Sequence, residues 1–310
     1  MNNRIYWMAV LSLLFATTAW GGLFHVGKWA LQELDPYWFT AVLYCCAALF
    51  VFIISLFIGR LKWSVLKQNC FKLTIYGVLG YGVFGVLVFV GLSMSVPSHG
   101  AVIMATMPIS SLVIGWVYDN QPVKIQGIFI ALIALLGVGL VSGAWGVSDS
   151  SQDVTIKGDI IALIGTLGWI FYSRAQKGFT NISVFEFTAF TTFLAFPLII
   201  LFAVCLSLFG LSSTPSVSSL VSVTPAMMYV VIFATVLSGL AFNFGVRNLG
   251  AHQGIVFINF VPISAWIISL VLGQVPSGNE MVGTALVIIS LLAQASITKY
   301  TFSKLAVKAS

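Results

Sequence analysis

Charge is scarce in this chain: Asp, Glu, Lys and Arg together make up 7% of its 310 residues. Soluble domains carry about 25%. A water-facing surface cannot be built from so little charge, so lipid is the solvent for most of the surface. Acids are rarer than bases, eight against fourteen. The net charge of +6 does not point to nucleic acid, because the bases lie between apolar runs and form no stripe or recognition motif.

Cysteine is nearly absent. Cys45, Cys46, Cys70 and Cys205 show neither Cys-x-x-Cys nor Cys/His ligand spacing. That argues against a disulfide framework and a zinc site, and predicts free thiols packed as small apolar groups. There is no Walker motif for nucleotide hydrolysis. A lipid-acting enzyme would need a paired acid/base or metal constellation, and three dispersed histidines without an acidic cluster do not supply one. No segment fits a soluble output domain, as a sensor would need. The chain is therefore expected to be no enzyme and to use no cofactor or metal.

What is present in quantity is apolar sequence, 59% of the chain. A membrane-spanning helix needs about 20 mostly apolar residues. Ten runs qualify, at 6–27, 37–58, 71–93, 97–117, 124–144, 158–176, 184–209, 224–247, 252–272 and 280–300. They are too long, and too little alternating, for barrel strands. The first run follows Arg4 and resembles a signal peptide, but it continues past Phe15 without a convincing cleavage site and is read as a retained span. With the N-terminus inside, twelve Lys and Arg fall on the cytoplasmic side, and only Lys28 and Lys157 fall outside. This bias predicts cytoplasmic N- and C-termini and an even number of spans.

The two halves echo each other. Met107-Pro108-Ile109-Ser110 recurs as Val261-Pro262-Ile263-Ser264, and the same spacing relates Gly85, Gly91 and Gly100 to Gly239, Gly245 and Gly254. Thr17 and Trp20 match Thr166 and Trp169, and Phe39-Thr40-Ala41 matches Phe187-Thr188-Ala189. Five spans per half start the second copy from the opposite side of the membrane. The expected fold is an all-α membrane protein of ten transmembrane helices in two inverted five-helix repeats. The first repeat covers 1–145, a linker 146–157, and the second repeat with a short tail 158–310. Inverted repeats place a substrate site near midplane, and exchange of their conformations gives alternating access.

Trp20-Gly21-Gly22-Leu23-Phe24-His25-Val26-Gly27-Lys28 resembles the first-helix signature of the EamA family, within the drug/metabolite transporter superfamily. The segments around Pro108 and Pro262 resemble that family's fourth and ninth helices, and the resemblance covers 9–143 and 158–298. It implies a central cavity lined chiefly by helices 1, 3, 4, 6, 8 and 9, with export of amino acids or related metabolites common among members and proton coupling or exchange usual or suspected. Many relatives carry an Arg in the second helix. Tyr44-Cys45 stands at the comparable place here, so that carboxylate-binding role is not carried over.

Few polar residues fall within the apolar runs. His25 and Lys28 share a face of the first span; a histidine can titrate and a lysine can attract an anion, though Lys28 equally suits snorkelling to the headgroups. His99 and His252 lie at matching span junctions. Asn243 and Asn259 place amides that can hold a solute or a neighbouring helix. Trp20, Tyr81, Trp169 and Tyr172 are candidates for cavity walls. Pro108 and Pro262 interrupt backbone pairing and are candidates for gating or kinks. The acids, Asp159, Glu186 and Glu280 among them, are read as exposed or helix-capping groups. Substrate binding is thus expected from Trp20, His25, Lys28, Tyr81, His99, Trp169, Tyr172, Asn243 and Asn259. The reading is a secondary transporter in the cytoplasmic (inner) membrane. It moves a small polar metabolite, an amino acid or derivative, with export ahead of import and protons as the candidate coupling ion. It acts as monomer or homodimer, with lipid as its surroundings.

Overall fold

The computed structural model describes residues 3–58, 61–119, 125–141, 150–250, 254, 257–273, 277–290 and 292–293. Among these, the regular structure is entirely helical. In chain order the principal helices are α1 (Asn3–Ala30), α2 (Pro36–Ile58), α3 (Trp63–Ser93) and α4, in two pieces (Pro97–Ala105 and Met107–Asp119). There follow α5 (Ile125–Val141), α6 (Ser150–Ala175), α7 (Val184–Leu208), α8 (Thr224–Leu249), α9 (Phe260–Val271) and α10 (Gly278–Ser290). Seven of them are long and apolar enough to cross a membrane; α5, α9 and α10 are shorter apolar helices.

Their outer faces carry large apolar side chains. Phe57, Phe71, Leu208 and Val271 are each more than three-quarters exposed. So much exposed apolar surface calls for a lipid surround. Cys45, Cys46 and Cys70 are also exposed, so those thiols are not packed inside as the sequence suggested.

Helices touch where side chains vanish. A Cβ on Gly91 of α3 would lie 2.5 Å from the Gly158 carbonyl of α6 and 2.7 Å from Ala162 Cβ. A Cβ on Gly245 of α8 would lie 2.3 Å from Leu13 of α1. Small residues at crossings let backbones approach, which is how helices associate in lipid without a hydrophobic driving force.

Several boundaries depart from expectation. α6 begins at Ser150, inside the stretch read as a linker. The helix that holds Pro108 is interrupted two residues before it, at Thr106, a turn residue whose hydroxyl donates to the Ile103 carbonyl at 2.7 Å. Pro108 then falls in the first turn of the second piece, where a missing N–H costs nothing. Pro262 occupies the same place in the first turn of α9, after a 3₁₀ turn at Phe257–Asn259. Two helices also widen: α3 is π-helical over Val78–Val83, which holds Gly80 and Gly82, and α8 over Tyr229–Leu237.

Candidate functional site

Aromatic rings from α1, α2, α3, α6 and α8 converge inside the bundle. Trp20 and Trp169 meet edge to face, with centroids 5.4 Å apart. Phe242 lies 5.0 Å from Trp20, and Tyr81 and Phe84 lie 6.5 and 5.2 Å from Trp169. Tyr44 packs 5.1 Å from Tyr81. The glycines of α3 make the room: a Cβ at Gly80 would strike Tyr172 at 2.5 Å, and one at Gly85 would strike Tyr44 at 2.8 Å.

Trp20, Tyr44, Tyr81, Phe84 and Trp169, with Leu23, Leu43, Phe89, Met104, Ala234 and Thr235, line a cavity of about 30 Å³. That is room for roughly two waters. No charged side chain is among its described lining residues. The cavity is too small for a metabolite, so admitting one requires its walls to part.

Hydrogen bonds stitch the aromatic wall together. Trp20 Nε1 donates to the Ala234 carbonyl at 2.8 Å. That carbonyl sits in the π-helical turns of α8, where Ser238 Oγ also donates to the Phe233 carbonyl at 2.5 Å. The Tyr81 and Tyr172 hydroxyls are 2.7 Å apart. Asn243 Nδ2 donates to Tyr172 Oη at 3.0 Å and to Thr188 Oγ1 at 2.8 Å. A three-helix network of α3, α6 and α8, reaching α7 through Thr188, is thus buried beside the cavity.

Of the residues singled out in the sequence, Trp20, Tyr81, Trp169, Tyr172 and Asn243 come together here. His25, Lys28 and His99 do not; each joins a pair of helices elsewhere. His25 Nε2 is 2.7 Å from Ser269 Oγ of α9. Lys28 Nζ donates to the Leu92 and Ser93 carbonyls at 3.0 and 2.9 Å, capping the C-terminal end of α3. His99 Nδ1 lies 2.9 Å from Asp159 Oδ2, and the Ser95 hydroxyl donates to Asp159 Oδ1. The side chain of Asn259 and the whole of His252 lie outside the described residues.

The acids need correction. Asp159 is buried at 5% exposure, not an exposed capping group, and it is paired with His99. Glu186 does cap: with Ser183 it forms a capping box, and its Oε1 also accepts from the Lys62 backbone N–H. It is buried all the same. Glu280 accepts from Ser98 Oγ of α4 and from the Ser277 backbone N–H. Sequence reasoning passed over Tyr44 and Thr188. Tyr44 stands at the place that the family resemblance compares with an Arg, and Thr188 is half of the Thr40/Thr188 match, so each carried a signal.

A bundle of apolar helices with a ring of aromatic and amide groups sealed in its centre defines a multi-pass membrane protein. The chain belongs to the EamA-like transporter family, whose model matches residues 7–143 and 156–294. Among its relatives is the uncharacterized transporter YrdR of Bacillus subtilis, 27% identical over 94% of this chain and 92% of its own length. The uncharacterized transporter YyaM of the same organism is also 27% identical, over 90% of each chain. A crystal structure aligns over 94% of this chain and 98% of its own, with a TM-score of 0.66 at 19% identity, which shows a shared fold.

Proposed function

We propose that the chain is a secondary transporter that carries a small polar metabolite, an amino acid or derivative, across the cytoplasmic membrane by alternating access, in the direction of export. Ten spans form two inverted repeats with both termini in the cytoplasm. The observation that carries the reading is the Trp20–Trp169 contact. These residues hold matched positions in the two halves, and they meet at the closed centre.

Paired contacts support the repeat. Gly91 packs on Ala162, and Gly245 packs on Leu13. The offset that turns Gly91 into Gly245 also relates the proline segments, and the offset that turns Leu13 into Ala162 also relates the tryptophans. Each half therefore presents its third helix to the first helix of the other. The π-helical segments fall at corresponding places in α3 and α8. Two near-equivalent halves that exchange conformations open the centre first to one side and then to the other.

Coupling to protons is assigned to His99 and Asp159, both buried and joining α4 to α6. The other ionisable groups near this junction are Glu280 of α10, which reaches it through Ser98, and the exposed Lys157 of α6.

The test is uptake of radiolabelled amino acids into proteoliposomes of purified protein, with and without a pH gradient. Saturable uptake that responds to the gradient and is lost on Trp169→Ala is expected. Folded protein that moves no solute across broad panels defeats the reading.

A further inference from the structure

Buried polar atoms without partners continue beyond the aromatic cavity. On α6, Trp169 and Ser173 are four residues apart, and Gln176 follows three later as the first residue of the 3₁₀ turn (Gln176–Gly178) that continues the helix, so the three fall on one face. All are buried, at 5%, 1% and 4% exposure. Trp169 Nε1, Ser173 Oγ and both polar atoms of the Gln176 amide have no hydrogen-bond partner. Asn243 of α8, at 1% exposure, reaches the same helix through Tyr172 and leaves its Oδ1 unpartnered. Its orientation is fixed by Thr188, whose hydroxyl donates to the Val184 carbonyl and so accepts from Asn243 Nδ2.

Space lies on α8, one turn before Asn243. Gly239 is buried, yet a Cβ there would meet nothing within 4 Å. Its counterpart Gly85 is packed against Tyr44. The second half is open where the first is filled.

Native proteins leave few buried polar atoms unpaired, and in a lipid-embedded interior each one is costly. Trp169, Ser173 and Gln176 in line along one face, with Asn243 held to the same helix through Tyr172, mark a place where the partners come from outside the chain. The tally of groups specifies it. Trp169 only donates, Asn243 Oδ1 only accepts, and Ser173 and Gln176 do both. No charged side chain bonds to any of them, so an ion would be buried without a counter-charge.

We infer that the Trp169–Ser173–Gln176 face of α6, with Asn243 Oδ1, is a subsite for an uncharged group that carries a donor and an acceptor side by side. That is the chemistry of a carboxamide or lactam edge, with the planar body of the solute against the aromatic walls. The inference rests on the transporter reading and names the solute's chemical class.

The test uses purified full chain in detergent and three probes that share a ring and differ in charge: nicotinamide, nicotinate and 1-methylnicotinamide. Equilibrium binding is expected to favour nicotinamide over both ions. Ser173→Ala and Gln176→Leu should each weaken it roughly five- to ten-fold, while the Tm without probe stays level or rises, because each removes only unpartnered atoms. A purely structural role gives the reverse, a lower Tm and unchanged binding, and overturns the inference. So does either ion binding as tightly as nicotinamide. If no probe binds, the atoms are satisfied by water only and the subsite falls. Amino-acid uptake in proteoliposomes reads transport separately: uptake that persists in both variants while nicotinamide fails to bind leaves the transporter and removes the subsite.

Discussion

Removing the Tyr172 hydroxyl is the sharpest probe of the buried network. Tyr172→Phe keeps the ring, its 5.1 Å contact with Trp169 and its 5.2 Å contact with Phe187. It deletes two bonds, the 2.7 Å link to Tyr81 and the 3.0 Å link to Asn243. Each intramolecular bond contributes about 0.5–1.5 kcal/mol net, and bonds between helices in membranes average about 0.6 kcal/mol. The expected loss is therefore about 1–2 kcal/mol. At roughly 2–4 °C per kcal/mol for a large domain, that lowers Tm by about 2–8 °C. Differential scanning fluorimetry in detergent reads it. Tyr118→Phe is the control, since Tyr118 is 68% exposed, and it should change Tm little. A double-mutant cycle with Asn243→Leu should show coupling, because both substitutions remove the same bond. If Tyr172→Phe matches wild type in Tm and the cycle is additive, the network contributes nothing and the account given of it is wrong.

Other perturbations separate packing, capping, coupling and orientation. Gly91→Leu forces a side chain into the Gly158 carbonyl and should abolish folded expression, whereas Gly278→Ala, with nothing within 4 Å, should be tolerated; size-exclusion profiles decide. Lys28→Met strips two carbonyls of α3 of their donor and should lower Tm by a few degrees, at roughly 1–2 kcal/mol for a half-buried charged donor. Asp159→Asn weakens the bonds from His99 and Ser95 and should lower Tm by a few degrees while removing the response of uptake to an imposed pH gradient; an unchanged Tm and an unchanged response count against the α4–α6 pair as a coupling site. With both termini inside, Cys70 at the start of α3 should react with a membrane-impermeant maleimide in inside-out vesicles and stay unlabelled in right-side-out ones.

Much of the fold was legible because lipid imposes long apolar runs, and the seven longest described helices follow those runs, although α3 starts at Trp63 where the run was read from residue 71. What stayed hidden depended on distance along the chain. His99 and Asp159 are 60 residues apart, so their pairing leaves no local trace, and an acid at a helix start reads as a cap. Ser173 and Gln176 were not singled out, because nothing local in the sequence says that other helices bury them. The turn at Thr106 and the wide turns of α3 and α8 involve residues as apolar as their neighbours, and hydropathy is blind to backbone pairing. Trp20 and Trp169 were accessible to sequence reasoning through their match across the halves, a signal that needs no structure.

The π-helical segment of α3 also sets a phase. A wide turn holds about one residue more than an α-helical turn, and one residue is about 100° of rotation. Gly77 packs against the Thr191 carbonyl before the segment, while Gly85 meets Tyr44 and Gly91 meets Ala162 after it. Deleting a single residue within 78–83 would shorten α3 by only about 1.5 Å. It would also swing the later glycines off their partners and present bulkier neighbours to α2 and α6. A change negligible in length is thus severe in azimuth, and the bundle tolerates substitution along this stretch far better than any change in the number of its residues.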